Sequence, residues 1–174
     1  MKLFKNLSLI IALICLTQTT LKADLPRYLD FKYVLNQSDA GKKAQTYLKK
    51  NLNDGMNKIK TKEKSIQEEE KKIIKQKKVV SAEEYKKQVT GLRTKVASLQ
   101  KERSALLERI AKQRSKARSE LLKNLNPIIK EYMQKNNVRV VLDKKSLLLA
   151  DESLDITKEI LVILNKKLKS IKLN

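Results

Sequence analysis

The sequence predicts an α+β protein: a long antiparallel helical hairpin, here called the coiled-coil arm, on a small β-rich oligomerisation body. Residues 40–126 contain no proline and are dominated by charged side chains. Residues 24–39 and 127–174, on either side, concentrate apolar residues. A long, charged, proline-free segment favours extended helices over a globular core. We therefore assign residues 40–126 to the arm and the two flanking segments to the body.

The arm carries the spacing of a coiled coil. In its second half the apolar residues alternate by four and three positions: Tyr85, Val89, Leu92, Val96, Leu99, Leu106 and Ile110. Arg103 and Gln113 occupy further positions of this seam and make it imperfect. In the first half the register continues through Leu52, Met56, Ile59, Ile66 and Ile73, with Glu63 and Glu70 at the alternate sites. So thin a stripe can join two helices but cannot form a globular interior.

The arm is predicted to reverse near residues 78–82. Ser81 is a suitable N-cap, and Glu84, three residues later, can complete a capping box. This gives helices near residues 40–78 and 82–126, whereas the alternative is one unbroken helix. We expect the apolar residues of the arm to be mostly seam residues: Ile59, Ile66, Ile73, Ile74, Val79 and Val80. Gly55 and Gly91 each cost a helix about 1 kcal/mol relative to alanine, and the hypothesis is that they loosen the arm.

The body is predicted to mix short strands and helices. A strand at Tyr28–Asp30 is followed by one or two helical turns, and Pro127 is expected to bend or restart the second arm helix. Strands at 138–142 and 146–150 flank a turn. Asp155 can cap a final helix over residues 156–168. Because so small a body buries little surface, assembly with other copies is expected. Its proposed oligomerisation residues are Leu29, Phe31, Val138, Val140, Leu142, Leu147 and Leu149.

Residues 1–23 have the pattern of a secretory signal peptide. Lys2 and Lys5 precede a ten-residue stretch, Leu7 to Leu16, that carries no charge. Ala23 is a small residue suited to cleavage. A membrane anchor is the alternative, but spanning a bilayer needs about 20 apolar residues. We expect export with cleavage near Ala23.

The composition removes most routes to catalysis. The chain has no His and no Trp, and its single cysteine, Cys15, lies in the leader. A thiolate nucleophile, an imidazole base and a Cys or His metal site are therefore not expected. We expect no cofactor, no metal and no enzymatic activity. Four aspartates could be imagined as paired carboxylates, but turn and cap roles explain them more simply: Asp30, Asp143, Asp151 and Asp155.

The net charge of +21 implies an anionic partner such as nucleic acid, anionic lipid or an acidic polypeptide. The charge is densest beside the predicted turn, where we place a binding site for the anionic partner, whether polypeptide or lipid, comprising Lys71, Lys72, Lys75, Lys77, Lys78, Lys86 and Lys87. The alternative is a solvated face that only keeps the chain soluble.

Two stretches carry a resemblance to a known family. They run from Tyr28 to Ala44 and from Val140 through Asp143-Lys144 to Thr157, with the lysine-rich hairpin between them. The chain resembles the Skp/OmpH family of periplasmic chaperones. The resemblance implies a homotrimer whose β-rich body is formed jointly and whose three hairpins surround a cavity. It also implies a periplasmic location and ATP-independent holding of unfolded outer-membrane proteins, with an anionic lipid or lipopolysaccharide surface as a further partner.

Two other functions compete with this expectation. A basic nucleic-acid-binding protein would fit the charge, but the leader argues against it and no nucleic-acid-reading motif is present. A structural coiled-coil adaptor would bind one folded partner stably rather than many unfolded ones.

Overall fold

The structure is a computed structural model that describes residues 25–173. The elements in chain order are β1 (Arg27–Leu29), α1 (Phe31–Gln37), α2 (Asp39–Gln76), α3 (Ala82–Lys135), β2 (Val141–Asp143), two short 3-10 helices (Lys144–Ser146 and Glu152–Leu154) and α4 (Thr157–Lys167). The predicted signal peptide lies outside the described residues. Among the described helices, none is both long enough and apolar enough to cross a bilayer.

The two long helices form the predicted hairpin. α2 has 38 residues and α3 has 54, which corresponds to lengths of about 57 and 81 Å at 1.5 Å per residue. They pack side by side along their length, and the chain reverses between Gln76 and Ala82. The hairpin prediction is confirmed and the unbroken helix is wrong.

Side-chain caps fix where the long helices begin. Ser81 accepts a hydrogen bond from the Glu84 N–H at 3.2 Å, as expected for an N-cap. Ser38 does the same for α2, accepting from the Gly41 N–H at 3.1 Å. A Cβ on Gly41 would lie 1.8 Å from the Leu35 carbonyl oxygen. Glycine at that position is therefore what allows α2 to start so close to α1.

The seam between α2 and α3 is narrow, and two partly exposed ion pairs bridge the helices. Lys62 pairs with Glu102, and Glu69 with Lys95, both at 2.6 Å. The buried seam cluster lies closer to the body and contains Ile59, Leu106 and Ile110, with Leu52, Met56 and Leu99 packed against it. Val96, predicted in the seam, is 43% exposed. Its neighbour Lys95 pairs with Glu69, so α2 presents a carboxylate at this level.

Pro127 does not restart the helix, which was one of the two expected alternatives. It lies inside α3, on the exposed face. Its neighbours Leu125, Ile128 and Ile129 are buried in the body core. Tertiary packing on both sides of the proline therefore holds α3 in one piece despite the missing N–H donor.

The body is more helical than predicted. β1 and β2 pair in parallel, with Arg27, Tyr28 and Leu29 opposite residues 141–143, and on the other edge of β1 the Ile156 N–H donates to the Tyr28 carbonyl at 3.0 Å. α1, α4 and the end of α3 pack against this pair around one core. The single chain thus forms two three-residue strands within residues 25–173, and the β-rich character expected of the body is not seen in it.

Two strand predictions need correction. The strand at 146–150 is wrong: residues 144–146 form a 3-10 turn and residues 147–150 have no regular structure. The strand expected from Val138 begins only at Val141. Asn137 has φ of 54°, and the Val138 N–H donates to the Met133 carbonyl at 2.9 Å. Val138 therefore closes the end of α3 in a left-handed cap and cannot join the sheet.

Candidate functional site

The structure brings the predicted basic residues to the free end of the hairpin, here called the arm tip. Lys71, Lys72 and Lys75 lie in the last turns of α2, and Lys77 and Lys78 lie in the turn itself. Lys86 and Lys87 follow in the first turns of α3. All seven side chains are exposed.

Apolar side chains are exposed among these lysines. Val79 is 83% exposed and Ile74 is 60% exposed, whereas Ile73 is buried at 5%. The expectation that the apolar residues of the arm lie mostly in the seam therefore does not hold for Ile74 and Val79. Ile73 meets α3 and turns its helical neighbour Ile74 outward. The arm tip combines positive charge with two solvent-facing aliphatic groups.

The predicted oligomerisation residues divide into two groups. Leu29 is fully buried in the core of the subunit, and Val138 is buried beside the end of α3. Phe31 and Leu147 are partly buried. Val140, Leu142 and Leu149 are exposed, Leu149 at 91%. We call the exposed apolar group of the body the body patch, consisting of Val140, Leu142, Leu148 and Leu149.

Leu148, which sequence reasoning missed, is the most exposed large apolar side chain of the patch at 96%. A strand at 146–150 would direct Leu148 to the face opposite Leu147 and Leu149, whereas the irregular segment observed leaves both Leu148 and Leu149 exposed. The signal that could have found it is the run of three consecutive leucines.

A second feature missed from the sequence is a groove where the arm meets the body, here called the root groove. It has a volume of about 1100 Å³ and lies between α1, the start of α2, the middle of α3 and the loop after β2. Its apolar lining includes Phe31, Leu35, Leu48, Leu52, Ile110, Leu121 and Leu122. These residues come from three separate segments, so only the folded chain brings them together.

Cations surround this apolar lining. Lys144 pairs with Asp155 at 3.0 Å and Lys145 with Asp143 at 3.2 Å. Four more cations line the groove and form no ion pair within the described residues: Lys32, Lys49, Arg114 and Arg118. The groove therefore presents uncompensated positive charge beside an apolar floor.

Three of the four aspartates considered as paired carboxylates, Asp30, Asp143 and Asp151, act as helix N-caps. The prediction that Asp155 caps α4 is wrong, because the N-cap of α4 is Ile156, which forms no side-chain cap hydrogen bond; Asp155 lies one residue earlier. Asp30 accepts from the Tyr33 N–H at 2.7 Å, and Asp151 from the Ser153 N–H at 2.8 Å. Asp143 and Asp155 accept from the backbone N–H two residues later, at 3.2 and 2.9 Å. Across residues 25–173, no three His, Cys, Asp or Glu side chains converge as a metal site.

Asp155 bonds to side chains and backbone on both sides of it in the body, namely Lys144 and Thr157. Burial raises the pKa of its carboxyl, but the hydrogen bonds from Thr157 and the Lys144 ammonium outweigh burial and leave the pKa below its ordinary value. Lys144 also lies over the Tyr28 ring, with its Nζ 5.6 Å from the centroid. Asp155 thus links the loop after β2 to the start of α4.

Tyr132 and Glu159 join α3 to α4. The Tyr132 hydroxyl donates a hydrogen bond to Glu159. Burial, together with this bond and the Glu159 charge, raises the pKa of Tyr132 to about 12. The phenol therefore stays protonated at neutral pH and serves as a donor between the two helices.

A family model and a solved structure each match most of this chain. A family model described as outer membrane protein (OmpH-like) matches residues 27–164. Among solved structures, the chain is similar to a candidate outer membrane chaperone (OmpH-like) from Caulobacter crescentus CB15, with a TM-score of 0.79 and 21% identity over 85% of this chain and 89% of that chain. At this identity the likeness shows the fold. No curated protein matches the sequence.

Proposed function

Because the chain belongs to the OmpH-like outer membrane protein family, we propose that it is a periplasmic chaperone that holds unfolded outer-membrane proteins without ATP. The observation that carries the proposal is the arm itself. Its two helices bury one narrow seam and leave nearly all of their charged surface in solvent. An arm of this kind offers a client many weak, exchanging contacts, which confine an unfolded chain without fixing it in one conformation.

The oligomeric state belongs to this proposal. A single arm cannot enclose a client, so we infer a homotrimer in which three arms surround a cavity. The body patch is the surface on which copies would meet, since solvent-exposed leucines beside an unpaired strand edge favour association. Mass measurement of the purified protein tests this: the trimer is expected, and a Leu148→Ser, Leu149→Ser variant should dissociate toward monomer. A wild-type monomer would contradict it.

The decisive experiment is an aggregation assay with an unfolded outer-membrane β-barrel protein diluted from denaturant. The protein without residues 1–23 should suppress light scattering in the absence of ATP. The matched variant lacks residues 60–105, with the helices joined by a short turn. This cut keeps Ile59 and Leu106 and removes both cross-hairpin ion pairs. A shortened arm that suppresses aggregation as well as the full arm would sink the proposal.

A second candidate partner is an anionic lipid surface. The observation that favours it is the exposure of Val79 and Ile74 among the lysines of the arm tip. Basic segments with apolar side chains associate with anionic bilayers, and each lysine near the surface adds about 1 kcal/mol. Sedimentation with vesicles containing phosphatidylglycerol, compared with neutral vesicles, tests this partner. Tighter binding to a nucleic-acid duplex than to either vesicles or clients would favour the nucleic-acid function instead.

A further inference from the structure

We infer that the root groove is a discrete docking site for a short extended segment of an unfolded client in which apolar and acidic residues alternate. The inference rests on the proposed function, because it names the part of the client that the chaperone recognises. It concerns the junction of arm and body rather than the arm tip.

The size and lining of the groove are those of a binding site. Ligand pockets in proteins measure about 300–1,000 Å³ and combine a mainly apolar lining with a few polar groups. The root groove has a volume of about 1100 Å³. Leu48 and Ile110, which form part of its floor, are about 95% buried. The floor is therefore a fixed surface of the folded subunit.

The length of the groove fits an extended peptide. Along α2 its lining runs from Gly41 to Leu52, a distance of about 16 Å. A β-like chain advances about 3.3 Å per residue, so about five residues span the groove. In such a chain alternate side chains point to opposite sides, and one side can meet the floor while the other meets the rim.

The distribution of charge selects the peptide chemistry. The unpaired cations are spread over three elements: Lys32 on α1, Lys49 on α2, and Arg114 and Arg118 on α3. A ligand with one anionic head group would engage one part of this rim. A segment with several carboxylates can engage cations along the whole groove. Strands of outer-membrane barrels alternate apolar and polar side chains, which matches this requirement when the polar residues are acidic.

The binding test uses a short fluorescent peptide in which leucine and aspartate alternate, measured by anisotropy on the full-length mature protein. The variant Arg114→Gln, Arg118→Gln should raise the peptide Kd about tenfold, because two charge contacts are lost. The control Arg103→Gln, Arg109→Gln removes the same charge from exposed positions of α3 and should change the Kd less than about twofold. Equal effects of the two variants would overturn the inference.

Two further readouts locate the peptide and exclude other occupants. A photo-crosslinking version of the peptide should attach to residues lining the root groove, and attachment to the arm tip alone would refute the assignment. A peptide in which leucine and lysine alternate should bind at least tenfold more weakly. Crosslinks from the groove to a second copy of the chain would also count against the inference. So would binding of decanoate, a ligand with an apolar tail and one anionic head group, without binding of the peptide.

The outcomes separate this inference from the proposed function. If the protein suppresses client aggregation but the peptide does not bind in the root groove, the chaperone proposal stands and the docking site is refuted. Peptide binding in the groove without suppression of aggregation would do the reverse.

Discussion

Leu106 of α3 sits directly over Gly55 of α2. A Cβ on Gly55 would lie 2.6 Å from both δ-carbons of that leucine. Gly55 is therefore a packing residue that lets the two helices approach within the buried part of the seam. Gly91 is different, because a Cβ there would meet no atom within 4 Å. The hypothesis that both glycines loosen the arm does not fit Gly55, whose role is steric, and it is left to Gly91 alone.

Alanine at the two glycines should have opposite effects on stability. Gly55→Ala forces the buried Leu106 side chain to shift, and the overpacking cost of about 1–3 kcal/mol should exceed the helix-propensity gain of about 1 kcal/mol, so that the free energy of unfolding falls. Gly91→Ala should raise it by about 1 kcal/mol through helix propensity alone. Urea unfolding followed by circular dichroism measures both. Two changes of the same sign would contradict the steric role of Gly55.

Local chemistry made the arm predictable. Ser81 as N-cap, the reversal before Ala82 and most seam positions follow from residues within a few positions of each other. Val96, Ile74 and Val79 are the exceptions, since all three are exposed, and the face of each helix that meets its partner is set by the pairing of α2 with α3. The cap and the turn, which depend on neighbouring residues, could be predicted from the sequence.

The body and the root groove could be predicted only in part. The strand at β1 was found to within a residue, but the position of β2 depends on Asn137 taking a left-handed conformation at the end of α3. A strand at 146–150 does not form, and no residue among 25–173 pairs with this segment. The root groove is formed by three segments distant in sequence, and no local pattern identifies such a site. Its arginines Arg114 and Arg118, spaced four apart, indicate only a basic helix face.

Leu173 anchors the segment 168–173 across the root of the arm. It is buried against Ala44, Leu48 and Ala117, and its carbonyl accepts a hydrogen bond from the Gln113 side chain at 3.3 Å. Gln113, which makes the coiled-coil seam imperfect, thus has a hydrogen-bond partner outside the seam. We call residues 168–173 the strap. The match to the family model ends at residue 164, so the strap lies beyond the matched residues.

Removing the Leu173 side chain should loosen the arm root. Leu173→Ala should lower the free energy of unfolding by about 2 kcal/mol, near the lower end for a buried leucine. Hydrogen exchange should increase in residues 44–48 and 113–117. Leu107→Ala is the control, since Leu107 is exposed on α3 and lies outside this cluster and outside the body patch. Faster exchange at the arm tip instead of the root would contradict the strap.

The Asp155 carboxylate should make the body sensitive to acid. Its pKa is lower in the folded chain than its ordinary value of 3.8, so the unfolded state binds the proton more readily. The stabilisation is therefore present above about pH 4 and is lost as the pH falls through the folded pKa. Asp155→Asn should destabilise the protein at pH 7, and the difference from wild type should shrink toward pH 2. Denaturant unfolding at both pH values measures it, and a difference that is constant with pH would contradict the linkage.

Neutralising the arm tip should slow client capture more than neutralising another part of the same helix. The tip variant replaces Lys71, Lys72, Lys75, Lys77 and Lys78 with glutamine. The control replaces five exposed lysines of α2 that form no ion pair within residues 25–173: Lys42, Lys43, Lys50, Lys58 and Lys60. Both variants lose the same net charge, so any difference between them reports position.

The measured quantity is the association rate with an acidic unfolded barrel protein, followed by stopped-flow fluorescence over a range of salt concentrations. Electrostatic steering depends on local field and is screened beyond about 10 Å at 0.1 M salt. The tip variant should associate several-fold more slowly than the control at low salt, and the two rates should converge as salt rises. If the rates agree at every salt concentration, overall charge rather than the arm tip draws the client, and the five replaced lysines contribute no more than other lysines of α2.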